Sequence, residues 1–234
     1  MPWNYRGIGW FVVFTVIVLS SLLLVKPYLP RESGGTASGE EIALPKPRFK
    51  GEMIVEEAIL RRRSMRDYLP EPLKLEELSQ LLWAAQGITS PDGKRAAPSA
   101  GATYPFEVFV VAGNVEGLEP GIYKYNPQRH SLMFIKRGDY RDDLERAALD
   151  QDWVGNAAVD IVLVAFYGRA TEVYGERGVR YVHMEAGHIG ENIYLQATAL
   201  GLGTVAVGAF DDERVSEILG TEGRPLYIFP VGRV

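Results

Sequence analysis

Val179 to Phe210, VRYVHMEAGHIGENIYLQATALGLGTVAVGAF, reads as a long helix, a glycine stop and a short strand. Val182, Ala186, Ile189, Ile193, Ala197 and Leu200 recur at steps of three and four, which makes one apolar face of a helix. Tyr181, Met184, Tyr194 and Leu195 add apolar bulk to its back, so this helix is expected inside a core or an interface. Ala186, Gly187, Gly190, Ala197 and Ala199 thin its surface. An interior glycine costs a helix about 1 kcal/mol against alanine. Such positions imply the close approach of another backbone or of a ligand. Gly201 and Gly203 end the helix. Thr204–Ala209 is then a thin strand, its peptide edge open at Ala206, Gly208 and Ala209.

Outward from this stretch, the 234 residues are 47% hydrophobic and 24% charged, the composition of a globular chain with a real core. There is no cysteine, which excludes disulfides, thiolate metal sites and cysteine nucleophiles. Net charge is −5, and residues 1–30 hold only Arg6 and Lys26 among charged groups. The remainder is therefore more acidic still, and a nucleic-acid partner is disfavoured.

Ile8–Val25 is 18 uncharged, mostly apolar residues, with Trp3, Tyr5 and Trp10 at one end and Tyr28 at the other. Its length matches a bilayer and its aromatic flanks suit the interfaces. No small-x-small cleavage site follows directly, so residues 1–29 are expected to be an uncleaved membrane anchor. Residues 30–50, rich in Pro, Gly, Ser and charge, read as a flexible linker, and 51–234 as the domain. The side of the membrane facing the domain is weakly specified, since Arg6 stands at one end of the run and Lys26 and Arg31 at the other.

Within the domain, patterning predicts helices over Met53–Arg61, with Ile54, Ala58 and Ile59 inward, and over Leu75–Ala85, Tyr140–Leu149 and Asp211–Leu219. Strands are expected at Val108–Ala112, at a Gly121–Tyr125 and Leu132–Ile135 hairpin, at Ile161–Phe166 and at Leu226–Val231. Helices and strands do not alternate strictly, so the fold class is α+β, with a mixed sheet flanked by helices.

Four stretches could carry chemistry. Arg62-Arg63-Ser64-Met65-Arg66 places three guanidiniums and a hydroxyl where a phosphate would fit. The alternative is a basic helix C-terminus that complements the dipole. Ala97–Phe106, APSAGATYPF, is a loop with little side chain that could lie against a flat ligand, or an ordinary turn. The Gly-rich strand has the same two readings, with backbone N–H groups to offer a heterocycle. His183-Met184-Glu185-Ala186-Gly187-His188 looks faintly like a zinc motif. Its histidines are five apart, however, which puts them on different faces of a helix, so no metal is expected. Asp142-Asp143 and Asp211-Asp212 read as helix starts.

In this order, RRSMRDY (Arg62–Tyr68), APSAGATYPFEVFVV (Ala97–Val111), GIYKYNPQRHSL (Gly121–Leu132) and RYVHMEAGHIGENIYLQATALGLGTVAVGAFDD (Arg180–Asp212) resemble the flavin-dependent nitroreductase family, in its SagB-type dehydrogenase branch. The resemblance runs from about Met53 to the C-terminus. It implies an α+β homodimer with FMN at the subunit interface and the small-faced helix central to the dimer. By the same resemblance Arg62, Arg63, Ser64 and Arg66 hold the phosphate and ribityl chain. Pro98, Ser99, Ala100 and Gly101 contact the flavin from the other protomer, and Gln151 brings an amide near it. Val207, Gly208 and Ala209 flank its reactive edge and donate backbone N–H groups, and Arg233 adds a phosphate contact. The chain stops at Val234, short of the arm with which many relatives wrap the partner. The implied activity is hydride transfer through flavin N5, either from NAD(P)H to a nitro- or quinone-type acceptor or out of an azoline-like substrate. The rival from another class is a membrane-tethered, flavin-free scaffold that keeps the fold. Tyr104, Lys124 and Tyr125 are conceivable acids or bases, and no side chain stands out as indispensable.

Overall fold

The computed structural model describes residues 40–234. The apolar run Ile8–Val25 lies outside the described residues. Among the described ones, no helix is long and apolar enough to cross a membrane.

Among the described residues the elements are strands β1 (Glu41–Ala43), β2 (Phe106–Ala112), β3 (Gly121–Asn126), β4 (Ser131–Arg137), β5 (Val159–Ala165), β6 (Leu202–Thr204) and β7 (Arg224–Arg233), with seven α-helices. These are α1 (Val55–Arg61), α2 (Leu75–Gln86), α3 (Arg141–Ala147), α4 (Asp152–Gly155), α5 (Gly168–Tyr174), α6 (Arg177–Ala199) and α7 (Asp212–Leu219). The strands form one sheet in the order β1-β4-β3-β2-β5-β7-β6. The ladders between the described strands are antiparallel. The parallel pairing among the described residues is the isolated bridge of Leu73 with Val115.

β5 lies between β2 and β7 with all seven residues buried, which is why it reads as an unbroken apolar run. Its side chains alternate between two cores. Ile161 and Leu163 pack with Leu78, Leu81 and Leu82 of α2 and with Val182, Ile189 and Ile193 of α6. Val162 and Val164 pack with Leu144 of α3, Val154 of α4 and Val215 and Leu219 of α7. The sheet is thus covered on both faces, and the face of α6 read from its spacing is the face it buries. Asp211 caps α7 as expected, its carboxylate accepting the N–H groups of Glu213 and Arg214 at 3.1 Å.

Three expectations need correction. The linker assigned to residues 30–50 ends sooner, since Glu41–Ala43 pairs with Ser131–Met133 at the sheet edge. Three residues carry no strand period of their own, and β4 supplies the order. Second, Ala58 is the one buried residue of α1, while Ile54, Val55, Ile59 and Leu60 are 58–72% exposed. This helix turns its apolar residues away from the chain's own core. Third, the glycines of α6 differ from one another. A Cβ at Gly190 would stand 2.8 Å from Cζ of Phe229, whereas one at Gly187 would meet nothing within 4 Å.

Candidate functional site

The arginine-rich segment leaves the C-terminus of α1 and runs along β6. The Met65 N–H donates to the Thr204 carbonyl at 2.9 Å, and the Leu69 N–H to the Arg233 carbonyl at 2.9 Å. Gly203 and Gly232 make room for this. A Cβ on Gly203 would stand 2.9 Å from Cβ of Met65, and one on Gly232 would stand 2.7 Å from Cβ of Tyr68. The segment thus lines β6 at Thr204 and stops short of the edge read from the sequence at Gly208 and Ala209.

That path delivers the arginines to the C-terminal end of α6. The Arg62 guanidinium lies 5.1 Å from the Tyr194 ring centre, and Arg66 lies 5.2 Å from that of Trp153 in α4. Ser64 Oγ and Tyr194 Oη are 3.0 Å apart, and Tyr194 Oη also accepts the Ala206 N–H at 2.7 Å. Tyr194 thus ties the arginine segment to the glycine-rich one. Among the described residues, no carboxylate pairs with Arg62, Arg63 or Arg66. Stacking on an exposed ring stabilises a guanidinium by roughly 0.5–1 kcal/mol and leaves its N–H fork available. Arg63 behaves otherwise. Its Nη1 donates to the carbonyls of Leu60 and Arg62, at 3.0 and 2.7 Å, so it satisfies a helix C-terminus.

Gln151 joins the same region. Its Nε2 donates to the carbonyls of Ala148 and Ala209, at 2.6 and 2.8 Å. Both amide hydrogens are thereby used, and the side chain braces the 207–209 segment. Just before it, Leu149 and Asp150 hold φ of 59° and 56°, the left-handed region that non-glycine residues avoid. Gly208 and Ala209 are exposed, and among the described residues their N–H groups have no partner. Val207 is corrected: its N–H donates to the Ile228 carbonyl at 2.8 Å and cannot serve a ligand as well. Arg233 is engaged within the chain. It forms a two-pronged pair with Glu77, at 2.8 and 2.7 Å, and its Nε donates to the Pro72 carbonyl at 3.3 Å. It fastens β7 to α2.

Pro98, Ser99, Ala100 and Gly101 lie elsewhere. Ala100–Ala102 is a 3-10 turn with φ of 58° at Gly101 and 52° at Ala102, and Tyr104 follows at 42°. A non-glycine residue held there costs on the order of 1–3 kcal/mol, a strain typical of binding loops. Ser99 Oγ accepts the Tyr104 N–H at 2.9 Å, and Gly101 is so close to Tyr174 that a Cβ would reach its hydroxyl at 2.5 Å. This loop packs beside Glu185, nine residues before Tyr194 on α6, roughly 14 Å along the axis. Within one chain the candidate residues therefore form two groups.

The remaining candidates are engaged. Lys124 Nζ is 3.5 Å from Glu107, Tyr125 Oη is 2.8 Å from Nδ1 of His130, and the Tyr104 ring lies 4.4 Å beneath Arg95. Burial pushes the Tyr125 phenol up. His183 Nε2 meets the Tyr167 hydroxyl at 2.7 Å, and His188 is exposed. Sequence reading missed Tyr194, placed only as apolar bulk, and Trp153. A tyrosine on the back of an apolar helix offers no signal of its own until Ser64 and Ala206 meet it.

The nitroreductase family model matches residues 59–233. A Methanocaldococcus jannaschii protein, MJ1384, whose nitroreductase name is provisional, is 49% identical over 182 residues, 78% of this chain and 92% of that protein. The Escherichia coli microcin B17-processing protein McbC is 27% identical over 161 residues, covering 65% of this chain and 58% of McbC. A Ralstonia eutropha crystal structure, again provisionally named a nitroreductase, superposes with a TM-score of 0.73 at 33% identity, over 90% of this chain and 96% of that one.

Proposed function

The chain belongs to the nitroreductase family of oxidoreductases, and from that premise we propose that it is an FMN-dependent enzyme that moves hydride between NAD(P)H and a small nitro- or quinone-type acceptor. The observation that carries the reading is the group at the end of α6. Among the described residues Arg62 and Arg66 keep their guanidinium forks free of carboxylates, and the exposed N–H groups of Gly208 and Ala209 belong to the segment that Tyr194 and Gln151 hold through Ala206 and Ala209. A phosphate needs the first and an electron-rich heterocycle needs the second, so the residues present fit FMN.

Bound there, the flavin would supply the hydride chemistry through N5. Arg62 and Arg66 would hold the phosphate, with Ser64 adding a hydroxyl. Gly208 and Ala209 would donate N–H groups toward the ring edge, and Gln151 would keep that segment from shifting. Pro98–Gly101 stands too far along α6 to complete the same site and would act on the site of a second copy. The apolar residues that α1 exposes would be covered by that copy, which makes the enzyme a homodimer. The apolar run Ile8–Val25 would tether it to a membrane.

A second reading, dehydrogenation of an azoline-like substrate, is favoured by the similarity to the microcin B17-processing protein. The full-length chain purified in detergent separates these readings. Yellow protein releasing FMN on denaturation, and oxidising NAD(P)H with quinone or nitro acceptors, supports the first. Flavin that is bleached by azoline peptides and ignores NAD(P)H supports the second. Colourless protein that takes up no added FMN overturns both and leaves a scaffold.

A further inference from the structure

Glu185 belongs to the one motif on α6 that the proposed chemistry does not use, yet it is 2% exposed within the helix's buried face. The groups facing its carboxyl come from three other segments. The C-terminus of α2 brings the fully buried Gln86, the turn after it brings Arg95, and the Pro98–Gly101 loop brings Ser99, with Tyr104 of its flank facing Arg95. Arg95 Nη1 donates to Gln86 Oε1 at 2.9 Å, the Arg95 N–H donates to Tyr104 Oη at 3.3 Å, and the Tyr104 N–H donates to Ser99 Oγ. Beyond Arg95 stand Tyr125 of β3 and Arg169 of α5, the latter donating to the Tyr104 carbonyl at 3.2 Å and paired with Glu107.

Among the described residues, two donors and one acceptor in this cluster have no partner: Gln86 Nε2, Arg95 Nε and Glu185 Oε1. Ser99 Oγ already accepts from Tyr104, so its own proton is free to be given. Ser99 and Gln86 stand near the carboxyl as donors, and Arg95 as a positive charge. Burial pushes it up to about 7, against the pull of Ser99, Gln86 and Arg95, which favour its charged form. What favours the charge is in turn held by it, because linkage is reciprocal.

We infer that Glu185 is a positioning residue for the Pro98–Gly101 loop: its carboxylate fastens Ser99 and Arg95 from beneath, so the loop seats more firmly once the carboxyl has lost its proton. That the loop seats against a flavin rests on the function proposed above, whereas the fastening does not. Amide hydrogen exchange across residues 96–106, on the full-length chain without added flavin and corrected for intrinsic rates, tests it. From pH 6 to pH 8 protection in the wild type should rise roughly fivefold or more. It should stay flat in Glu185→Gln, which keeps the shape but cannot ionise, and in Ser99→Ala, which keeps the carboxyl but loses the tie. A rise that persists in either variant, or no rise in the wild type, overturns the inference. If Glu185→Gln does not fold, the wild type and Ser99→Ala decide alone. A parallel FMN titration should tighten over the same interval in the wild type and not in Glu185→Gln. Should FMN bind at no pH, the functional proposal falls and the exchange result still stands or fails by itself.

Discussion

The two polar groups on α6 are built in opposite ways. At its C-terminal end the half-buried Arg62 lies on Tyr194, and the exposed Arg66 lies on Trp153 of α4, with no carboxylate paired to either among the described residues. Midway along, around Glu185, a guanidinium, an amide and a carboxyl are buried together with donors and acceptors left over. The first group has positive charge to spend on an incoming anion. The second has an acid that the fold keeps out of water. One helix therefore carries a site that waits for a ligand and a site that responds to protons, and the two should fail separately.

The largest break in that contrast is Arg62→Ala with Arg66→Ala. A hydrogen bond to a charged group contributes about 1.5–3 kcal/mol, so losing both should weaken FMN binding by roughly a hundredfold to ten-thousandfold. Flavin content of the purified variant and its titration measure this, and the pH response of residues 96–106 should be unaffected. Next is the stability slope of the buried carboxyl. Its folded value of about 7 lies above the ordinary 4.5, so its contribution is full below pH 4.5 and is lost as pH rises through about 7. The loss is about 3 kcal/mol. Urea melts of the wild type should weaken over that window, and Glu185→Gln should lose this part of the slope. Local fastening of the loop then rises with pH while global stability falls, a pairing that a purely structural glutamate would not give. Gly190→Ala, set between the two groups, drives a Cβ against Phe229 and should cost about 1–3 kcal/mol in thermal melts, with neither group favoured. Smallest is Gln151→Ala, which frees the Ala209 carbonyl. It should cost about 1 kcal/mol, read as a several-fold weaker FMN affinity with little change in melting.

What could be read in advance follows from how local each signal is. The apolar face of α6, the cap at Asp211 and the central strand β5 each write their period or chemistry into consecutive residues, and each is found where expected. Arg233 could not be read, because what decides its role is Glu77, which is 156 residues away in sequence. The outward turn of Ile54 and Ile59 was equally hidden: periodicity says which residues share a face, and not whether that face meets the chain's own core. β1 needs β4 to exist at all. Glu185 sat in a stretch scanned for metal ligands, where a lone acid beside two histidines reads as helix surface until Gln86, Arg95 and Ser99 close around it.

The two backbone bonds that lash the arginine segment to β6 and β7 impose an order in time. A ribosome makes Arg62–Arg66 early and makes Thr204 and Arg233 only after nearly all the rest of the domain. The nascent guanidiniums must stay unmoored for most of translation, and the last strand to emerge is the one that berths them. A chain that stalls before β7 would therefore hold most of its core residues and still lack a harbour for the nucleotide tail.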